Sequence, residues 1–255
     1  MGRHGTNKGR KTVSDFAGKS VIVTGGTGGI GGAIAVAFAQ AGANVVAAGW
    51  GEGELAARRE DPDFAGISIE ALDVTDDAAV AALAARTPKL DVLVNCAGFL
   101  IRHGDVFAPE AFQKSYDVNM LGTLRMCNAF LPQLEASGAG AIINTASMNS
   151  FLGTGTAPGY AASKGAVAQA TKSMAIAWAS RGVRVNAVAP GWIATPMSAD
   201  AANNPAFYER IEKRTPMGRW GEPHHLAGPV LFLASPAAAW VTGVILPVDG
   251  GYLAV

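Results

Sequence analysis

The sequence predicts an α/β fold: a single doubly wound domain with a mostly parallel seven-stranded sheet and helices on both faces. Short runs rich in valine and isoleucine recur along the chain, separated by stretches long enough for a helix. The runs are continuously apolar rather than alternating, which is typical of strands that helices cover on both faces. Strands joined by such helices run parallel, because each connection crosses back over the sheet.

The predicted elements follow in chain order. A Gly-rich turn and an Ala-rich helix ending at Gln40 follow the first run, and a helix ending near Gly182 precedes the sixth. We expect the third strand to end near Asp73, the fourth at Asn95 and the fifth near Ser147. The segments predicted as strands are SVIVTG (20–25), NVVAAG (44–49), ISIEALDV (67–74), LDVLVNCAG (90–98), GAIINTAS (140–147), GVRVNAVAP (182–190) and GVILPVDGG (243–251).

One domain accounts for residues 13–255, because no linker rich in proline, serine or charge divides them. Residues 1–12 are basic and no apolar signal-peptide core follows them, so we expect a flexible tail. Their start also matches the myristoylation pattern Met-Gly-x-x-x-Thr, but one myristoyl chain holds a protein to a membrane only weakly. A solvated tail is the preferred interpretation.

Composition narrows the function classes. The 255 residues carry 20 Lys+Arg and 20 Asp+Glu, so the net charge of +0 provides no field that would gather nucleic acid. A bulky-aliphatic run of about 20 residues is missing, so we expect no membrane span. Only Cys96 and Cys127 are present, which argues against a disulfide-built secreted scaffold. We therefore expect a cytoplasmic protein.

The segment from Pro190 to Met217 departs from the strand–helix pattern. It begins PGWIATPM and contains a short charged helix near residues 209–213. Ligands in doubly wound sheets bind beyond the carboxyl ends of the strands, so we interpret residues 190–217 as a substrate lid. The alternative is a surface insertion.

The string TGGTGGIG, residues 24–31, follows the first strand and opens a helix. Glycines there let the backbone approach a pyrophosphate, and the helix N-terminus offers unpaired N–H groups. The string fits GxGxxG through Gly26, Gly28 and Gly31, or Thr-Gly-x-x-x-Gly-x-Gly with glycines at 25, 29 and 31. Both patterns predict a dinucleotide cofactor.

The choice between NAD and NADP depends on the end of the second strand. Residues 49–51, Gly-Trp-Gly, supply neither an acidic side chain nor an arginine there, but Glu52 and Glu54 follow. Two nearby carboxylates disfavour an extra phosphate, so the sequence favours NAD. Arg58 and Arg59 are the counter-evidence, and we expect them further along a helix.

Tyr160 and Lys164, in YAASK, lie four residues apart on one face of a predicted helix. An adjacent ammonium stabilises a phenolate and would lower the phenol pKa from about 10 toward neutrality. Such a phenol can exchange a proton with an alcohol or a ketone. Taken alone, the pattern is common in structural helices.

Several motifs together resemble the short-chain dehydrogenase/reductase family, from about Val13 to the end of the chain. They occur in the family's order and spacing: TGGTGGIG, Asp73, NCAG (95–98), Asn119 in DVNM, Ser147, YAASK, PGWIATPM and the terminal VTGVILPVDGGY. The chain departs from the usual NNAG by placing Cys96 second. The resemblance implies a catalytic tetrad of Asn119, Ser147, Tyr160 and Lys164, and suggests a homotetramer.

In the family's mechanism, Tyr160 passes a proton to or from the substrate oxygen, and Ser147 donates a hydrogen bond to that oxygen. Lys164 would hold the nicotinamide-ribose hydroxyls, and Asn119 would hold a water that links it to solvent. Hydride then moves directly between the substrate carbon and nicotinamide, so no metal is expected.

The resemblance and the glycine turn together give the expected cofactor contacts. Asp73 would accept a hydrogen bond from the adenine amino group, and Val74 would pack on the adenine. The full set is Gly25, Thr27, Gly28, Gly29, Ile30, Gly31, Trp50, Asp73, Val74, Asn95, Ala97, Gly98, Tyr160, Lys164, Pro190, Gly191, Ile193 and Thr195.

Five side chains are candidates for substrate contacts: Arg102, His103, Met148, Asn149 and Trp192. The polar members point to a sugar-like or polyol substrate, although Arg102 and His103 could instead lie on a solvated loop. DVNMLGTLRMC adds a weak resemblance to sugar-alcohol and sugar-acid members of the family. The adjacent His224 and His225 fit a helix entry better than a metal site.

The leading functional hypothesis is an NAD(P)-dependent oxidoreductase acting on a secondary alcohol or ketone such as a polyol, sugar or sugar acid. An NADPH-dependent 3-oxoacyl thioester reductase is one alternative, and it would require a basic patch for a phosphate-bearing carrier. A non-catalytic, dinucleotide-sensing regulator is the other.

Overall fold

The computed structural model of the chain describes residues 15–255. The predicted tail, the myristoylation match and the first two residues of the predicted domain lie outside these residues. No helix within 15–255 is long and apolar enough to cross a membrane.

The core of the fold is a seven-stranded, all-parallel sheet in the order β3-β2-β1-β4-β5-β6-β7. The predicted doubly wound fold is confirmed. The third strand stops before its predicted end because Asp73 Oδ1 accepts hydrogen bonds from the amide and hydroxyl of Thr75, which turns the chain toward the next helix. The strands are β1 Ser20–Thr24, β2 Asn44–Gly49, β3 Ser68–Ala71, β4 Val92–Asn95, β5 Gly140–Thr145, β6 Val183–Pro190 and β7 Ile245–Val248.

Helices cover both faces of this sheet. A π-helical segment, Asp117–Leu121, joins the fourth helix to the fifth. The α-helices are α1 Gly29–Gln40, α2 Glu52–Arg59, α3 Asp77–Ala85, α4 Pro109–Tyr116, α5 Gly122–Ala136, α6 Pro158–Trp178, α7 Ala199–Ala202, α8 Pro205–Arg214 and α9 Ala227–Ala234.

Strand β1 shows why the strands read as continuous apolar runs. Val21 and Val23 pack into the cluster that contains Phe38 of α1. Ile22, which points to the opposite face, packs into the cluster that contains Phe130 of α5. Successive side chains of a strand face opposite sides, so a strand between two helical layers is apolar at every position.

The sheet order places a topological switch point between β1 and β4. The chain winds from β1 toward β3 on one side and from β4 toward β7 on the other. A crevice forms at the carboxyl edge where the two directions diverge, and ligands of doubly wound sheets bind there.

Candidate active site

A cavity of about 580 Å³ opens at this carboxyl edge, within the size range of small-molecule sites. The glycine turn and Glu54 form one part of its wall, here called the glycine-turn half. The other part, the lid half, is formed around Met148, the segment that follows Pro190, and α8. The serine turn after β5 and the start of α6 lie along the same cavity.

The glycine turn is tight enough to require glycine at four positions, one of them residue 26, where a Cβ would come within 2.5 Å of the Val23 carbonyl oxygen. Gly25 and Gly29 adopt left-handed φ values of +62° and +48°, a region that L side chains rarely enter. A Cβ at residue 31 would overlap the carbonyl group of Gly25. At residue 28, by contrast, a Cβ would meet only the flexible side chain of Glu54. The turn therefore follows the pattern Thr-Gly-x-x-x-Gly-x-Gly rather than GxGxxG.

The glycine turn is fastened to the end of β4. The Thr24 hydroxyl accepts hydrogen bonds from the amides of Cys96 and Ala97, each at 3.2 Å. A Cβ at Gly25 would come within 2.9 Å of that same backbone. Glycine-lined backbone and the free amides at the start of α1 form a cradle that fits a dinucleotide pyrophosphate.

Glu54, on α2, reaches the glycine turn and lines the cavity. Its carboxylate accepts a hydrogen bond from the Thr27 hydroxyl. That hydroxyl occupies the space that a Cβ at Gly49 would fill, which explains the glycine at the end of β2. The carboxylate missing from the strand end is thus supplied about one turn into the next helix.

Arg58 also reaches the glycine turn, although its place on the helix had suggested a more distant position. Its Nε donates to the Thr27 carbonyl at 2.6 Å. Its guanidinium is paired with Asp61 at 2.5 Å and lies over the Phe64 ring. Asp61 therefore offsets the charge of this arginine.

Ser147 caps the short turn that follows β5. Its hydroxyl accepts from the Asn149 amide at 3.1 Å, and Ser150 Oγ donates to the Lys164 carbonyl at 2.7 Å. The serine turn is thereby bonded directly to α6. The side chains of Ser147 and Lys164 are both buried, at 6% and 3% exposure, yet both line the cavity.

Tyr160 and Lys164 lie one turn apart on α6, as predicted, and both face the cavity. Lys164 Nζ stands 5.7 Å from the centroid of the Tyr160 ring and donates to the Thr145 carbonyl at 2.6 Å. A Cβ at Gly98 would be 3.8 Å from this nitrogen. The lysine therefore reaches the point where the ends of β4 and β5 meet.

The sequence-based expectation that Lys164 lowers the pKa of Tyr160 is wrong in direction. Burial raises the pKa of Tyr160, and the Ser147 hydroxyl and the Arg102 charge only partly oppose it. The Lys164 ammonium lies over the ring and is directed to the Thr145 carbonyl, and burial lowers its pKa to about 8. The phenol is therefore protonated at neutral pH.

Asn119 lies on the π-helical segment and fixes the loop after β4. Its Nδ2 donates to the carbonyl of Phe99 and to Ser163 Oγ, and its Oδ1 accepts from the Phe99 amide. That Oδ1 lies 3.5 Å from a Cβ built at Gly98. Asn119 therefore stands behind the cavity wall near Lys164 with its amide group already bonded within the protein.

The lid half is built on aromatic rings. Trp220 lies between Tyr208, stacked at 5.1 Å, and Trp192, at 5.2 Å between ring centroids. Phe207 packs edge-on against Trp192. The same cluster includes Tyr252 from the C-terminal end of the chain. Residues 190–217 thus cover part of the cavity; their role as a lid stays a prediction.

Three arginines line the lid half, and each lies over an aromatic ring. The guanidinium carbon of Arg102 is 5.9 Å from the Trp192 centroid. Arg210 lies over Phe207 and Arg214 over Tyr252, at 4.6 and 4.2 Å. None of the three arginines forms an ion pair or a side-chain hydrogen bond with another residue of 15–255.

The structure brings most predicted site residues to the cavity wall, but not all of them. Thr27 is buried beneath the turn, and Asn95 bonds to Asn144 in the core. Trp50 is 72% exposed outside the wall, and His103 is exposed beside Asp200. The predicted residues that line the wall are Gly25, Gly28, Gly29, Ile30, Gly31, Gly98, Arg102, Ser147, Met148, Asn149, Tyr160, Lys164, Pro190, Gly191, Trp192, Ile193 and Thr195.

Three further predicted contacts do not line the wall. Val74 packs in the core, where its side chain fills the space that a Cβ at Gly122 would occupy. Asp73 caps the turn after β3, and Ala97 lies on the backbone that supports the glycine turn. Their cofactor contacts stay predictions.

Sequence reasoning missed several wall residues. Glu54 was noted only as a nearby charge, and Arg210, Arg214 and Tyr252 were not considered. The arginines had one available signal, because their i,i+4 spacing places them on one face of the charged helix. His224 and His225 lie in the short helix Pro223–Leu226, in agreement with a helix entry.

Comparison with known proteins gives consistent matches over the whole domain. A family model described as enoyl-(acyl carrier protein) reductase matches residues 25–253. Galactitol 2-dehydrogenase (L-tagatose-forming) from Cereibacter sphaeroides is 41% identical over 251 residues, covering 95% of this chain and 98% of that protein.

Two further similarities concern sugar-acid enzymes. A 2-dehydro-3-deoxy-D-gluconate 5-dehydrogenase from Pseudoalteromonas atlantica is 38% identical over 254 residues, covering 92% of this chain and 96% of that protein. The solved gluconate 5-dehydrogenase from Burkholderia cenocepacia, in complex with NADP and tartrate, superposes with a TM-score of 0.88. It is 35% identical, over 95% of this chain and 98% of that one.

Proposed function

The chain belongs to the short-chain dehydrogenase/reductase family of NAD(P)-dependent oxidoreductases, and on that premise we propose that it interconverts a secondary alcohol and a ketone of a polyol, sugar or sugar acid. The observation that carries this proposal is the meeting of Ser147, Tyr160 and Lys164 at one cavity, between a glycine cradle and a lid half. Relatives that act on galactitol and on 2-dehydro-3-deoxy-D-gluconate support the substrate class.

The chain's own residues supply binding and proton chemistry. The amides at the start of α1 bind the pyrophosphate, and Lys164 holds the nicotinamide-ribose hydroxyls. Bound nicotinamide supplies the hydride acceptor or donor. Ser147 donates a hydrogen bond to the substrate oxygen, which orients that oxygen toward Tyr160.

Tyr160 acts as general acid or base at the same oxygen. Because burial raises its pKa, the neutral phenol is present at physiological pH and donates the proton when a ketone is reduced. In alcohol oxidation the hydroxyl of Tyr160 must first lose its proton, and the resulting phenolate then accepts the proton of the alcohol. Asn119 orients the loop beside Lys164, and by family resemblance the water that links this lysine to solvent is held nearby.

We propose NAD as the preferred dinucleotide, with Glu54 as the side chain that selects it. Its carboxylate lies beside Gly28, at the end of β2, where the adenosine ribose of a dinucleotide is expected. A carboxylate there accepts ribose hydroxyl hydrogens and repels a 2′-phosphate. The solved Burkholderia relative holds NADP, so this chain would differ from it in preference.

A 3-oxoacyl thioester reductase remains the second candidate, because one observation favours it. Arg210 and Arg214 form a basic surface on α8 beside the cavity, as a phosphate-bearing carrier would require. Glu54 weighs against this candidate, since it disfavours the NADPH that such a reductase uses.

The assembly and the location of the enzyme complete the proposal. We propose a homotetramer, supported by large apolar side chains exposed on the long helix α6 and just before β7, such as Ile176 and Trp240. Its mass in solution, measured by light scattering, tests this. A cytoplasmic location rests on the low cysteine count.

A substrate panel tests the proposed function. Alditols, aldonates, simple ketones and acetoacetyl thioesters are each assayed with NAD and with NADP, and reduced nicotinamide is followed by absorbance. Turnover of alditols or aldonates is expected. Turnover of the thioester alone would replace the proposal by the second candidate. If the protein binds a dinucleotide but turns over none of these substrates, it would be a dinucleotide-binding protein without this activity.

A further inference from the structure

The charges of the cavity wall are unevenly distributed. The only carboxylate among its described residues is Glu54, which lies at the glycine turn. The lid half carries Arg102, Arg210 and Arg214 and no acidic residue. The cavity therefore has a positive end, and that end is the one beside Met148, next to the serine turn.

The most buried of these cations is Arg102. Its side chain is half-buried against Trp192, and burial lowers its pKa, an effect that the Tyr160 phenol and the Asp200 carboxylate oppose. Asp200 itself lies at 3.3 Å from His103 and does not line the wall. Burying a guanidinium without a partner costs free energy, so such groups normally have an anion to bind.

The remaining two arginines stand at the mouth of the same end. Arg210 and Arg214 are exposed, and their positions over Phe207 and Tyr252 hold the guanidinium groups along the wall. Stacking leaves the in-plane N–H donors of a guanidinium free. All three arginines line the cavity that Tyr160 also lines.

The cofactor does not account for this positive end. Its pyrophosphate belongs on the glycine turn, in the opposite half, where backbone amides supply the donors. A substrate group must therefore be the anion that the arginines receive.

We propose that the lid half is a carboxylate-binding subsite and that the preferred substrate is a polyhydroxy acid rather than a neutral polyol. This inference rests on the proposed function and names the substrate class within it. Arg102 binds the carboxylate in a bidentate pair, with a hydroxyl-bearing carbon presented to Tyr160 and Ser147. Arg210 and Arg214 attract the anion to the mouth. One half-buried guanidinium matches a single-charged carboxylate, which is why we choose it over a phosphate.

Matched substrates test the inference. D-Gluconate and D-glucitol, and likewise D-galactonate and galactitol, differ only in a carboxylate at one end. For each pair, kcat/KM is measured with NAD and NADP, and binding to the nucleotide-loaded enzyme is measured by calorimetry. We expect the acid of at least one pair to bind and react at least tenfold better than its neutral partner, as a charged hydrogen bond implies.

Variants locate the subsite. Arg102→Gln is expected to lower acid kcat/KM by about 10- to 100-fold, mainly through KM, and to change polyol kcat/KM less than about threefold. Arg102→Lys should recover part of the loss. Arg210→Gln and Arg214→Gln should each lower kcat/KM for the acid about two- to fivefold, since exposed charges contribute little to binding. Lys213→Gln is the control, because Lys213 lies on the same helix, pairs with Glu209 and does not line the cavity.

Each outcome decides the inference separately from the proposed function. Polyols oxidised as well as their acids, with Arg102→Gln affecting both equally, would overturn the carboxylate subsite and leave the dehydrogenase intact. Tighter binding of D-gluconate 6-phosphate than of D-gluconate, lost in Arg102→Gln, would overturn the choice of carboxylate. If nothing is turned over, the proposed function fails, and calorimetric preference for the acid over the polyol still supports or refutes the subsite.

Discussion

The glycine-turn half of the cavity presents backbone, whereas the lid half presents side chains. In the first, glycine φ values and missing Cβ atoms determine the shape, and the Thr24 hydroxyl fastens it to β4. In the second, stacked rings and arginines form the wall. Backbone cannot be varied without changing the fold, whereas side chains can, so the constant ligand belongs to the first half and the variable ligand to the second.

Breaking the glycine turn should have the largest effect on nucleotide binding. In Gly31→Ala the new Cβ overlaps the Gly25 carbonyl, so the turn must shift, and we expect nucleotide affinity to fall about 100-fold. Fluorescence titration with NADH measures it. Gly53→Ala is the control, because residue 53 has open space and a helical position. Equal affinities of the two variants would show that the cradle does not bind the nucleotide.

Breaking the lid half should leave nucleotide binding nearly unchanged. Trp220 is 4% exposed and holds Tyr208 and Trp192 in place. Trp220→Ala removes a buried aromatic ring, and we expect substrate KM to rise about tenfold as the lid loosens. NADH affinity should change less than about twofold, since coupling between separate sites is small.

Trp220→Phe serves as the matched variant, because it keeps a ring in the stack. A KM close to that of the unchanged enzyme is expected for it. Loss of NADH affinity in Trp220→Ala, at a magnitude similar to the loss for substrate, would contradict the division of the cavity into two halves.

The sequence predicted the glycine-turn half of the cavity better than the lid half. The glycines of the turn follow directly from a local motif at a strand end, so TGGTGGIG was sufficient to find them. Glu54 lies on the following helix and was noted only as a nearby charge. Arg214 and Tyr252 meet only through the packing of distant segments, and no local pattern records that contact. The predicted direction of the Tyr160 pKa shift was wrong for a related reason. Helical spacing predicts which side chains are neighbours, but the depth of burial decides which protonation state is favoured.

A smaller effect should sharpen the boundary at Glu54. Glu54→Gln removes the carboxylate that opposes a 2′-phosphate. The repulsion between two unit charges 4 Å apart in water is about 1 kcal/mol, so its loss should shift the NADPH-to-NADH affinity ratio about fivefold toward NADPH. Both affinities are obtained by fluorescence titration, without substrate. Glu52→Gln, an exposed neighbour outside the cavity wall, should leave the ratio unchanged. A stronger preference of the unchanged protein for NADPH would contradict the role given to Glu54.

The most direct test of the whole account separates chemistry from binding at Tyr160, which lies between the two halves. In Tyr160→Phe the ring remains and only the hydroxyl that exchanges the proton is lost. Turnover of the best panel substrate and the Kd for NADH are measured on the same preparation. The account predicts a loss of turnover of about 100-fold or more, with the Kd within about threefold of that of the unchanged protein. Near-normal turnover in this variant would show that another group passes the proton.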